Sequence, residues 1–211
     1  MNKRRFTRSA LACAALLLAA ITSQAQPLSN KPIRIVVPFG AGGVADVTSR
    51  VVAQKLASQL GQPVIIDNKP SAGGIVAADT VAKSAPDGHT LFLMSNGSAV
   101  TVGLFSQLPF DMVKDFTPIS TLGYFDIGVL TASDSRFKNL GELVAWAKAN
   151  PGKLNIGSIA IGSTQHLAAE LFKTTAGIDA QIVPFNGTPA VVTALRGKQI
   201  DAAVEILTPI M

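Results

Sequence analysis

Gly40-Ala41-Gly42-Gly43-Val44-Ala45 is the stretch whose residue types point most directly to chemistry. It follows the β-branched run Ile33-Arg34-Ile35-Val36-Val37 and opens a helical repeat. In that repeat Ala45, Ser49, Val52, Ala53, Leu56 and Leu60 share one stripe. A strand, a glycine turn and a helix start aim free backbone N–H groups and a positive dipole end at an anion. The spacing fits G-x-G-x-x-A, and Asp67 ends the next β-branched run where a ribose-binding acid belongs. A dinucleotide-dependent enzyme is therefore one reading. Against it, Pro38-Phe39 separates the strand from the first glycine, and the same device recurs at residues 71–74 and 162–164.

Other catalytic groupings are thin. His89, in Pro86-Asp87-Gly88-His89, reads as an exposed turn residue. His166 begins a helix beside Ser163, Thr164 and Gln165, and no acid is placed to orient it as a base, so it reads as a hydrogen-bond donor to a ligand. The three glutamates are scattered, and Glu142 caps a helix with Asn139. No His, Cys, Asp or Glu grouping has metal-ligand spacing, so neither metal nor cofactor is expected. A binding protein accounts for more. Four strand-end loops rich in Gly, Ser, Thr and Asn span residues 39–43, 95–98 (with Ser95 and Asn96), 162–166 and 185–187. Ligands of open α/β sheets collect at the carboxyl ends of strands, and helix starts and hydroxyls hold a carboxylate with neutral donors.

The elements that carry these loops alternate. Strands are expected at Ile33-Arg34-Ile35-Val36-Val37, Pro63-Val64-Ile65-Ile66-Asp67 and Thr90-Leu91-Phe92-Leu93-Met94, with helices between the first two and from Ile75 to Lys83. That order implies βαβ crossovers and a largely parallel sheet. Residues 119–131 read as one long extended segment, bent at Gly123 and Gly128, leading into a second lobe. There the alternation returns: a helix at 139–149, a strand at 154–157, a helix after Gly162, a strand at 181–184, a helix from Thr188-Pro189 to Gly197, and a strand in which Ile200, Ala202, Val204 and Ile206 alternate.

At 211 residues, 48% hydrophobic and 15% charged, the chain can bury a core. Lys3, Arg4, Arg5 and Arg8 precede an apolar run from Ala10 to Ile21 and then Ser23-Gln24-Ala25, the layout of a cleavable secretory signal over residues 1–25. Residues after Arg4-Arg5 lack the apolar pair of a twin-arginine signal, and Cys13 lies too early for a lipoprotein. Removing the signal removes the lone cysteine and lowers the net charge from +5 to +1. The basic pI is thus a targeting effect, and nucleic-acid binding is excluded as the reading.

The motifs resemble, in order and over nearly the whole mature chain, the extracytoplasmic solute receptors of tripartite tricarboxylate transporters, the Bug or TctC-like proteins. The matching stretches are Pro38-Phe39-Gly40-Ala41-Gly42-Gly43 with Asp46 and Arg50, Asn68-Lys69-Pro70-Ser71-Ala72-Gly73-Gly74, and Ala85-Pro86-Asp87-Gly88-His89-Thr90-Leu91. Leu108-Pro109-Phe110-Asp111, Gly162-Ser163-Thr164-Gln165-His166-Leu167 and Val183-Pro184-Phe185-Asn186-Gly187 continue the match. The resemblance implies an α/β periplasmic binding protein, type II-like, with two βα lobes (26–122 and 123–211) and mainly parallel sheets. It implies a small carboxylate ligand and membrane components of a transporter as partners. It nominates Phe39, Ala41, Gly42, Gly43 and Asp46 on one lobe, partly through bridging waters, and Ser163, Thr164, His166 and Asn186 on the other. Two departures stand out: Ile159-Ala160-Ile161 replaces a more Gly- and Pro-rich approach to Gly162, and family members continue well past residue 211. The expectation is a C-terminally truncated receptor whose second lobe and return to the first are incomplete. A non-functional remnant is a further reading.

Overall fold

The computed structural model of the chain describes residues 31–207. The expected signal segment, with Cys13, and the last four residues lie outside them. In the first lobe, β1 (Ile33–Val37), α1 (Val44–Leu60), β2 (Val64–Asn68), α2 (Ile75–Ala82), β3 (Thr90–Phe92) and α3 (Asn96–Leu104) follow in order, with a 3₁₀ turn at Ala72–Gly74 before α2. The sheet order is β2-β1-β3, all parallel, with Ile35 opposite both Ile66 and Leu91. β1 is central and β-branched, so both its faces are covered. On one side Ile35 and Val37 pack with Ala53 of α1. On the other, Ala78 of α2 packs with Phe110 and Met112, and the Phe116 ring meets Phe110 edge to face and Phe92 at a tilt.

The second lobe contains β4 (Ile127–Leu130), α4 (Leu140–Ala149), β5 (Leu154–Ile159), α5 (Thr164–Ala176), β6 (Ala180–Phe185), α6 (Thr188–Arg196) and β7 (Ala202–Ile206). Its order is β4-β7-β5-β6. β5 pairs in parallel with β6 and β7, and β4 runs antiparallel to β7. Pro184 lies on the edge strand β6, where a missing N–H costs no central ladder bond. The alternation of β7 divides the core. Ala202 and Val204 join Leu143, Ala147, Leu154, Ile156 and Ala169 on the face covered by α4 and α5. Ala203 joins Ile159, Val191 and Ala194 on the α6 face.

Several elements differ from expectation. Residues 119–126 are exposed and carry no strand; pairing is confined to Ile127–Leu130, opposite Ala203 to Ile206 of β7. An extended segment becomes a strand only where a partner ladder exists. The expected loop at residues 95–98 is instead the start of α3. There the Ser95 N–H donates to Ser98 Oγ at 3.3 Å. The Thr101 hydroxyl contacts both Gly97 O at 2.9 Å and Gly73 O at 2.8 Å, so a tertiary contact selects a helix over a run rich in β-branched residues. His89 is buried, not exposed: its Nδ1 lies 2.9 Å from Asp87 O, and its carbonyl accepts from Arg34 N, tying the turn into the sheet. Leu60, placed on the buried stripe of α1, is exposed in its last turn. Asn139 caps α4 as expected, accepting the Glu142 N–H at 2.9 Å.

Leu143 is fully buried between α4 and the second sheet. Leu143→Ala should lower unfolding stability by about 2–5 kcal/mol, the cost of a partly collapsed cavity, read by urea denaturation.

Candidate functional site

The glycine turn after β1 is held from behind. Gly43 starts α1 without a side-chain cap. One turn in, the Asp46 carboxylate accepts the Gly42 N–H at 2.9 Å and pairs side-on with Arg50, through Nε at 3.0 Å and a terminal nitrogen at 2.9 Å. Arg50 also donates to Asn68 Oδ1 at 3.2 Å, and Asn68 Nδ2 donates to Phe39 O at 3.0 Å. One chain of hydrogen bonds therefore clamps both ends of the turn to β2. Burial alone would raise the Asp46 carboxyl, but the hydrogen bonds from Arg50 and Gly42 outweigh it and hold its pKa below the ordinary 3.8.

Across from it, the second lobe presents two helix starts. Ser163 caps α5, its Oγ accepting the His166 N–H at 3.1 Å. Gly187 precedes α6, which begins Thr188-Pro189. Between these starts, near the carboxyl end of β7, lies Glu205, 1% exposed. Thr188 Oγ1 donates to its Oε2 at 2.7 Å and Gln165 Nε2 to its Oε1 at 3.2 Å. Burial pushes the Glu205 carboxyl above its ordinary 4.5, and these two neutral donors, with the Ile206 backbone N–H, only partly oppose the shift.

The two lobes meet backbone to backbone. The Gly73 N–H donates to Ile161 O at 2.9 Å. A Cβ at Gly97 would stand 2.5 Å from Gly162 O, and one at Gly40 would stand 2.7 Å from Asn186 O, so only glycine permits either approach. Phe39 belongs to the apolar clusters of both lobes. Two small cavities of about 10 Å³ each, room for about one water, remain along this seam. Phe39, Ser71, Ser95, Ser98, Ile161 and Ser163 are among the residues lining the first; Phe39, Gly40, Ile159, Asn186 and Gly187 are among those lining the second. No residue lining either cavity is charged.

The expected site residues divide accordingly. Phe39, Ser95 and Ser163 converge on one cavity, and Phe39 and Asn186 on the other. Ala41 and Gly42 are exposed, Gly43 is buried at the start of α1, and Asn96 is exposed at the start of α3. Thr164 and His166 are half-buried in the first turn of α5 and line neither cavity; His166 Nδ1 is buried without a protein partner. Asp46 stands behind the turn, bonded to Gly42 and Arg50. That carboxylate occupies the N–H a nucleotide phosphate would need, which counts against the dinucleotide reading. Thr101, Gln165 and Glu205 were not anticipated. The available sign was a lone acid between Val204 and Ile206 in an apolar strand. Among the described residues, no three of His, Cys, Asp and Glu form a metal-binding group.

Two βα lobes joined at their strand-end loops define a periplasmic solute-binding protein fold. The chain belongs to the tripartite tricarboxylate transporter family receptors (TctC), whose family model matches residues 48–210. It is 42% identical to a UPF0065 protein of Bordetella pertussis over 92% of this chain and 60% of that protein. Among solved structures, it resembles MatC of Rhodopseudomonas palustris with bound malate, at 33% identity and TM-score 0.78, over 84% of this chain and 61% of that one. It also resembles an R. palustris protein solved with adipate, at 28% identity and TM-score 0.77, over 84% and 60% of the respective chains. The chain thus spans about 60% of the length of the curated relatives it matches.

Two pH responses follow. The Asp46 clamp stabilises the fold fully above 3.8 and is lost as pH falls through its lowered folded value. Asp46→Asn should therefore cost about 1–3 kcal/mol at neutral pH, with the gap to wild type closing in acid, followed by thermal melts across pH. Glu205 works in the opposite sense. Its contribution is complete below 4.5 and is lost as pH rises through its raised folded value. Melting of wild type relative to Glu205→Gln should be most favourable in acid and decline toward neutral pH.

Proposed function

We propose that this chain acts as a periplasmic solute receptor that captures a small carboxylate between its two lobes. In this reading a cleavable signal over residues 1–25 directs export, and the lobes divide as 26–122 and 123–211. The chain performs no catalysis, and membrane components of a tripartite transporter receive the ligand. The observation that carries it is the seam itself. Neutral donors converge there from both lobes: the starts of α3, α5 and α6, and the hydroxyls of Ser95 and Ser163. Helix starts and hydroxyls stabilise an anion without a fixed countercharge, which suits a ligand that must also be released.

Cavities of about 10 Å³ hold no carboxylate of malate size, so uptake requires the lobes to part and re-close on the ligand. Ser163, Thr164, His166 and Asn186 then face it from one lobe. Phe39, Ala41, Gly42 and Gly43, with Ser95 and Asn96, face it from the other. Asp46 contributes by holding the turn. The solved relatives with malate and adipate support a dicarboxylate as the first class to test.

Calorimetric titration with malate, adipate and a wider panel of mono- and dicarboxylates tests this. Saturable binding is expected, weakened about tenfold or more by Ser163→Ala, which removes one hydrogen bond to a charged group. A chain that unfolds cooperatively yet binds none of the panel would sink the proposal. NAD(P) binding abolished by Gly42→Val would instead favour the dinucleotide reading.

A further inference from the structure

We propose that Glu205 is a positioning residue: it ties the starts of α5 and α6 together and so fixes the spacing of the two points where the second lobe meets the first. The consequence for ligand capture rests on the reading of the seam as the binding site.

Glu205 lies in the interior of the second lobe, and among the described residues no Lys or Arg forms an ion pair with it. A buried carboxyl without a cation costs stability, and an apolar residue in β7 would pack there more cheaply. What the carboxyl provides is direction. One oxygen accepts from Gln165, in the first turn of α5, and the other from Thr188, the first residue of α6. Both partners are themselves buried.

Each partner adjoins a contact with the first lobe. Just before Gln165, Ile161 O receives the Gly73 N–H and Gly162 O faces Gly97. Beside Thr188, Asn186 O faces Gly40, and a Cβ at Gly43 would stand 3.4 Å from Thr188 Oγ1. The first lobe lands on both places at once. Glycine-to-carbonyl contacts tolerate little error, so the distance between the two landing points must be set inside the second lobe. The two bonds to Glu205 set it, and they hold the donors of both helix starts in one frame.

The test compares wild type, Glu205→Gln and Glu205→Ala. In ligand-free protein, Glu205→Ala should speed amide hydrogen exchange by about tenfold at residues 163–167 and 187–191 together, leaving β1 and α1 unchanged. Glu205→Gln, which has the same shape and can still accept one bond and donate another, should stay within about threefold of wild type at both segments. Exchange that rises in neither segment or in only one, or a Gln variant as perturbed as the Ala variant, overturns the proposal. If Glu205→Ala does not fold, Thr188→Val and Gln165→Leu each cut one arm. Faster exchange at the opposite helix start supports the bridge, and a purely local response overturns it. Malate and adipate titrations then add the functional readout: a loss of about tenfold for Ala with near-retention for Gln is expected, and equal affinity in all three proteins refutes the link to capture. Should no carboxylate bind even wild type, the receptor reading fails while the exchange data still decide the role of Glu205.

Discussion

The closest constraint in the structure is the absence of a Cβ at two glycines where the backbones of the lobes touch. Gly97 faces the Gly162 carbonyl, and Gly40 faces the Asn186 carbonyl, each at a distance that excludes a Cβ. Such contacts bring the helix starts behind them into one place, and the donors at those starts converge as a result. The loops around this seam must be rigid, because a gap of an ångström would separate the donors that face each other. Each lobe supplies that rigidity through a buried carboxylate.

The two carboxylates work by different physics. Asp46 is paired with Arg50 and accepts from Gly42, so its charge is compensated and its clamp belongs to the ionised state. Glu205 has only neutral donors and full burial, so its charge is poorly compensated. The first adds to stability at neutral pH. The second reduces it there and is tolerated for the geometry it enforces. Their common feature is that neither lines the seam cavities. Both act from behind, through Gly42 and Arg50 in the first lobe and through Gln165 and Thr188 in the second, which adjoin the residues that do.

Much of the architecture was legible in advance. The β-branched run at 33–37, the strand expected at 63–67 and found at 64–68, most of the stripe of α1 and the helix capped by Asn139 are written in contiguous residues. The helix at 188–196 was also legible, but Gly187 rather than Thr188 precedes it, because the Thr188 hydroxyl donates to Glu205 instead of capping. Of the expected site residues, Phe39, Ser95, Ser163 and Asn186 do meet at the seam. Two of the misreadings share one cause. Residues 119–126 have strand-forming side chains but no partner ladder; residues 95–98 have turn-forming residues but open a helix with a tertiary anchor at Thr101. In both, a distant contact or its absence outweighed a propensity worth a few tenths of a kcal/mol per residue.

By itself the sequence determined the alternation of strands and helices, the glycine-rich turns at strand ends and the order of motifs shared with the solute receptors. These depend on periodicity, capping and turn chemistry, which act between residues a few positions apart. Only the tertiary structure decided that Asp46 faces back into its own loop, that Phe39 serves both lobes, and that Glu205 bridges two helix starts. Those facts depend on which distant backbone reaches a residue at hydrogen-bond range, and no local pattern carries that distance.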